Sequence, residues 1–151
     1  MGKKVLVPLD GSELAECALS HVRDLAKYGI VDEIALLTVL QTQTPWAEGY
    51  GEGFDIGALR DKNITAALRY LAGVAKGLAA EGFTVKTDVR ESGSVAAAIA
   101  DYAQKEGLDL IVVATNGYTG LKKVLMGSVA AGVAQQSNVP VYLIRPAACR
   151  V

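Results

Sequence analysis

The 151-residue sequence predicts an α/β fold: a single doubly wound parallel sheet of five strands, with helices on both faces. Three observations carry that expectation. Five apolar, β-prone runs alternate with four helical patterns, and such alternation builds parallel strands joined by crossover helices. The run at residues 110–114 is apolar without interruption, as a parallel strand buried on both faces is. The length suits one domain, spanning 1–151, and is too short for two of ordinary size.

Residues 5–9 form the first strand, and Asp10-Gly11-Ser12 turns the chain out of it. Ser12 suits an N-cap, because its hydroxyl can accept from an otherwise unpaired first-turn amide. Glu13 and Glu16 then fall near the positive end of the helix dipole. Leu14, Ala18, Val22 and Leu25 recur at three- and four-residue intervals as one buried stripe, and Gly29 suits the stop. Residues 34–40 are the second strand. The stretch from Gln41 to Asp55 is polar and glycine-rich yet holds Trp46, Tyr50 and Phe54, so it reads as a mobile lid or a partner surface. A long helix follows through Leu59, Ile64, Leu68, Leu71, Val74 and Leu78 to Gly82. Gly73 and Gly77 inside it cost about 1 kcal/mol each relative to alanine, and close packing against the sheet is the expected compensation. Residues 83–89 are the third strand. Gly93-Ser94 opens a helix carrying Val95, Ile99 and Ala103, which stops at Gly107. After the fourth strand and a glycine-rich loop come a helix over 127–136 and a fifth strand over 140–145.

Composition excludes several functions. Fifteen Lys and Arg against sixteen Asp and Glu leave a charge of −1, the wrong balance for coating nucleic acid phosphates. The first apolar run is too short for a signal-peptide core or a membrane span, so a cytoplasmic protein with no membrane partner is expected. Cys17 and Cys149 form no CxxC pair; reduced thiols are the expectation and a disulfide between the two is the alternative. His21 is the only histidine and falls mid-helix, which leaves little for a Ser-His-Asp triad or a histidine metal site.

Ligands of an open parallel sheet bind beyond the carboxyl ends of the strands, where strand order reverses. If the switch lies between strands one and four, the crevice is lined by the two most unusual local sequences in the chain. In Pro8-Leu9-Asp10-Gly11-Ser12, Asp10 either meets a ribose hydroxyl or a phosphate-bound metal, or merely caps the first helix. The second runs from Ala114 to Ala130 and includes Asn116, Gly117, Gly120, Gly127, Ser128 and Val129. Gly117 and Gly120 let backbone approach a ligand closely. Gly127-Ser128 opens a helix whose unpaired amides and positive dipole end suit phosphate; the other reading is an ordinary start capped by Ser128. No Walker A loop is present, nor a GxGxxG after the first strand, and Lys122 and Lys123 read as solvated loop residues.

These residues resemble the universal stress protein family. Its nucleotide-binding branch carries, after the fourth strand, Gly, two residues, Gly, nine residues, then Gly-Ser or Gly-Thr. Here Gly117 is followed by nine residues and Gly127-Ser128, while Ala114 replaces the first glycine. Residues 5–12 and 139–145 look like the family's first strand and turn and its last strand, so the resemblance covers the whole chain. It implies the strand order 3-2-1-4-5, which agrees with the switch point. It also implies an ATP-binding stress-response regulatory module, with Mg²⁺ as an optional companion. In that reading the amides of Gly127, Ser128, Val129 and Ala130, with Asn116 and Gly117, hold the phosphates, and Ser128 adds a hydroxyl. Asp10 meets the ribose or a metal, Val39 and Pro8 flank adenine, and Ala114 reduces the room beside them. The resemblance further implies homodimers. In the implied order the fifth strand is an edge, and it is apolar from Val141 until Arg145, so pairing two copies there would satisfy its open backbone. Other readings stay open: a nucleotide-free interaction protein on the same fold; a slow ATPase, for which no dedicated general base is evident; and, weakest, a flavin carrier.

Overall fold

Val5, Leu6 and Val7 are entirely shielded from solvent, which requires a central strand covered on both faces. That strand is β1 (Lys3–Pro8) in the computed structural model, which describes residues 2–42, 56–115 and 128–145. The other strands are β2 (Val31–Gln41), β3 (Thr84–Ser92), β4 (Leu110–Ala114) and β5 (Val141–Ile144). Between them run the helices α1 (Glu13–Lys27), α2 (Ile56–Ala80), α3 (Val95–Lys105) and α4 (Ser128–Gln136). All pairings are parallel and the order is β3-β2-β1-β4-β5, as expected.

The pleat of β1 divides the core in two. Val5 and Val7 join Ile34 and Leu36 beneath Ala18, Val22, Leu71 and Leu78 of α1 and α2. Leu6 joins Ala35 and Leu37 beneath Ile99, Ala103, Ala130 and Val133 of α3 and α4. Ser12 caps α1 by accepting from Ala15 N (3.1 Å), and Ser94 caps α3 by accepting from Ala97 N (3.3 Å). β3 runs three residues beyond its apolar stretch, because Arg90, Glu91 and Ser92 pair with Val39, Leu40 and Gln41. Tertiary pairing there overrides a composition that does not favour strand.

Two expectations fail. Gly73 and Gly77 do not pack closely: both are exposed, and a Cβ at either would meet nothing within 4 Å. Leu71 and Leu78 face the sheet, and the helical rotation of about 100° per residue turns the glycines away from it. Cys17 is disulfide-bonded rather than a reduced thiol; Cys149 lies outside the described residues. Compartment reasoning carries no information about which sulfurs the fold brings together. Among the described residues, no helix is long and apolar enough to cross a membrane.

Candidate functional site

The switch point lies where β1 stops and β2 continues. Pro8 pairs with Leu37, Leu9 N donates to Leu37 O (2.8 Å), and the chain then turns into α1. Leu9 O, which a continued ladder would offer to Val39, accepts the Thr38 hydroxyl instead (2.9 Å). Residues two apart on a strand direct their backbone groups to the same side. Leu37 O faces β1, so the N–H and C=O of Val39 face the same side, beyond the end of β1. Among the described residues no strand lies opposite them there.

Asp10 organises the turn. Its Oδ1 accepts from Ser12 N (2.9 Å) and from the Ser12 hydroxyl (2.6 Å), while Gly11 turns the chain at a φ of 90° that favours glycine. Ser12, not Asp10, is the cap itself. The second carboxylate oxygen, Oδ2, has no protein partner among the described residues. Tyr70 of α2 donates to Glu16 (2.7 Å) and so ties the first turn of α1 in place. Burial, followed by the Glu16 and Asp10 carboxylates, pushes its phenol well above the usual range.

Across the crevice, β4 ends at Ala114, and Thr115 N fastens the strand end to Ile144 O (2.9 Å). α4 begins at Ser128 with no acidic residue in its first turn. The amides of Ser128, Val129 and Ala130 belong to that turn, where helix geometry gives them no intrahelical partner. Gly132 fixes how α4 lies, because a Cβ there would come within 2.6 Å of Ala96 Cβ on α3.

These ends enclose a cavity of about 140 Å³. Pro8, Asp10, Val39, Ala114, Ser128, Val129 and Ala130, all expected at the site, line it together. Asn116, Gly117 and Gly127 lie outside the described residues, as do Gly120, Lys122, Lys123 and residues 43–55 of the glycine-rich stretch. Sequence reasoning missed most of the apolar walls: Leu9, Leu14, Ala15, Leu37, Val95, Ile99 and Val113. A broader groove of about 680 Å³ runs beside α3, but most of its charged side chains are already ion-paired. Arg90 pairs with Asp88 (2.9 Å) and sits 5.3 Å from the Tyr102 ring centre, and Lys105 pairs with Asp101 (3.1 Å). Burial, then Asp88 and Glu106, pushes the Tyr102 phenol up to about 12. The small cavity instead brings together Asp10 Oδ2, the Val39 backbone and the first-turn amides of α4, which have no protein partner among the described residues. Among the described residues, no three His, Cys, Asp or Glu side chains are grouped to hold a metal.

An open parallel sheet with an apolar crevice at its switch point, flanked by a helix N-terminus and a strand-end carboxylate, defines a doubly wound α/β domain of the ligand-binding type. The chain belongs to the universal stress protein family, whose description it matches over residues 1–145. It is 31% identical to the universal stress protein MJ0577 of Methanocaldococcus jannaschii, over 96% of each chain. It is also 31% identical to the universal stress protein YxiE of Bacillus subtilis, over 96% of this chain and 100% of that one. The solved structure of MJ0577 superposes with a TM-score of 0.79 at 33% identity, covering 96% of both chains.

Proposed function

We propose that this protein is an ATP-binding regulatory module acting as a cytoplasmic homodimer. The observation that carries the ATP reading is the N–H and C=O of Val39, unpaired among the described residues, beside an apolar cavity. Adenine offers an acceptor at N1 beside a donor at the 6-amino group, the complement of such a pair. Leu37, Val39, Val95 and Ile99 supply apolar surface for the ring faces. Functional ligand pockets start at about 300 Å³, so a cavity of about 140 Å³ takes the base while sugar and phosphates extend along the rim. Asp10 Oδ2 then meets the ribose. The first-turn amides of α4, with the Ser128 hydroxyl and the motif residues Asn116, Gly117 and Gly127, take the phosphates. Mg²⁺ is an optional companion of those phosphates; were Asp10 to face them instead of the ribose, its carboxylate would be a ligand. The dimer reading rests on the apolar edge of β5.

Guanine presents the opposite edge, an acceptor at O6 beside a donor at N1, and would leave both Val39 groups facing their own kind. An unmade buried hydrogen bond costs about 1–3 kcal/mol. Calorimetric titration should therefore show ATP binding at least about tenfold tighter than GTP. Equal affinities would contradict the assignment of Val39 to the base.

A further inference from the structure

Residues 34–40 of β2 are apolar with one exception, Thr38, and Thr38 is buried. A hydroxyl withdrawn from water is costly unless an acceptor takes it, and valine would fill the same space in a strand without that demand. The Thr38 hydroxyl donates to Leu9 O (2.9 Å), in the turn by which the chain leaves β1. That oxygen is the acceptor that one further rung of the β1–β2 ladder would give to Val39 N, since Pro8 pairs with Leu37 and Leu9 N donates to Leu37 O. A carbonyl can accept two donors, yet among the described residues Val39 N makes no bond to Leu9 O. Thr38 shares its face of β2 with Leu36, in the same core as Leu9, whereas Val39 packs on the opposite face. Thr115, buried just past the end of β4, is the contrasting case. Its hydroxyl also reaches a carbonyl, Ile144 O (3.4 Å), but its own N–H already donates to that oxygen (2.9 Å). There the hydroxyl adds to a main-chain bond; at Thr38 it stands in place of one.

We infer that Thr38 is a positioning residue for base selection: by occupying Leu9 O it stops the β1–β2 ladder one rung short and keeps the Val39 N–H turned to the cavity. Its effect on selection rests on the proposed seat of adenine at Val39. Thr38 touches no nucleotide itself; its side chain lies on the α1–α2 face, and Val39, not Thr38, lines the cavity. Without the hydroxyl, Leu9 O is a buried carbonyl with no donor, a state that proteins avoid. The donor that ladder geometry offers it is the Val39 N–H. Pairing the two would extend the ladder and withdraw from adenine N1 the donor it needs. Guanine presents its own N–H at that point and makes no bond there, so it loses nothing.

The test compares the parent with Thr38→Val, which keeps the branched shape and removes the hydroxyl, and with Thr38→Ser, which keeps the hydroxyl. Amide hydrogen exchange of the full chain without nucleotide, resolved by NMR, reads Val39 directly. In the parent and in Thr38→Ser, Val39 should exchange at least about tenfold faster than the central amides of β2, and in Thr38→Val it should slow by at least about tenfold. Calorimetry with ATP and GTP then reads selection. Thr38→Val should bind ATP about tenfold more weakly than the parent, the loss of one hydrogen bond, and GTP as the parent does. Thr38→Ser should match the parent with both nucleotides. A merely structural role would weaken both nucleotides alike and leave Val39 exchange unslowed. A protected Val39 in the unliganded parent, unslowed exchange in Thr38→Val, equal weakening of ATP and GTP, or a Thr38→Ser that behaves like Thr38→Val would each overturn the proposal. A parent that binds no ATP would overturn the seat of adenine instead, and Val39 exchange would still decide whether Thr38 holds the ladder open.

Discussion

β3 and β5 are both edge strands, but β3 carries Lys86, Asp88, Arg90 and Glu91, whereas β5 reads Val-Tyr-Leu-Ile with no charge. On β3, Lys86 reaches Glu33 of β2 (3.0 Å) and Arg60 of α2 reaches Glu91 (2.7 Å). On β5, Tyr142 and Leu143 are 48% and 37% exposed. The cation of each pair is open to water, and such pairs add little stability. Their effect is to deny the edge to another strand, since a charged edge resists pairing and a flat apolar one invites it. The contrast teaches that one sheet can close one margin with charge and leave the other open, the margin at which the proposed dimer would pair.

The sharpest way to break that contrast is to put a β3-like charge on β5. Leu143→Lys would set like charges opposite each other in a two-fold pairing, which costs several kcal/mol. Light scattering should show a parent dimer at micromolar concentration and a monomeric variant, a loss of at least about hundredfold in association. A parent that is already monomeric would remove the distinction between the edges.

The covering helices extend the comparison. α4, beside β5, has no slack at Gly132, so Gly132→Ala should force the α3–α4 contact apart and cost about 1–3 kcal/mol. α2, beside β3, has open space at Gly73, and Gly73→Ala should stabilise by about 1 kcal/mol. Chemical denaturation of both variants checks the opposite signs.

The smallest effect lies in the ion pairs of α2. Hydrogen bonding to Arg60 holds the Glu91 carboxyl below its ordinary value of 4.5. A depressed folded value stabilises above that pH and the stabilisation is lost as pH falls through the folded value. Thermal melts of parent and Arg60→Gln should therefore differ slightly at pH 7 and converge as the solution is acidified below 4.5.

The strand order and the site are legible in the sequence to different degrees. The alternation of apolar runs with helical patterns yields five strands and four helices, because a continuous run such as 110–114 has few alternatives once both its faces are covered. Polar strand residues such as Arg90 and Glu91 escape notice, since only their partners on β2 make them strand. At the site, Asp10 and Ser128 stand out as polar residues at a strand end and a helix start. Ile99 and Leu37 read as core and are core, and only the early end of β1 exposes them to a cavity as well. The direction of the Val39 backbone depends on register, which composition does not encode. Gly73 is misread for want of one step: the same periodicity that turns Leu71 inward turns it outward.

The central claim is that the cavity between β1, β4 and α4 binds ATP, and Ala114 tests it most directly. Its Cβ stands at the cavity wall where the motif has glycine, and the residue is half-buried at the end of β4. Ala114→Leu would fill much of a space of about 140 Å³ without altering charge. ATP titrated calorimetrically into parent and variant should show one site per chain in the parent, near micromolar, and a loss of at least about hundredfold in the variant, or roughly 3 kcal/mol. A folded Ala114→Leu protein that binds ATP as the parent does, or a parent that binds none, would contradict the account.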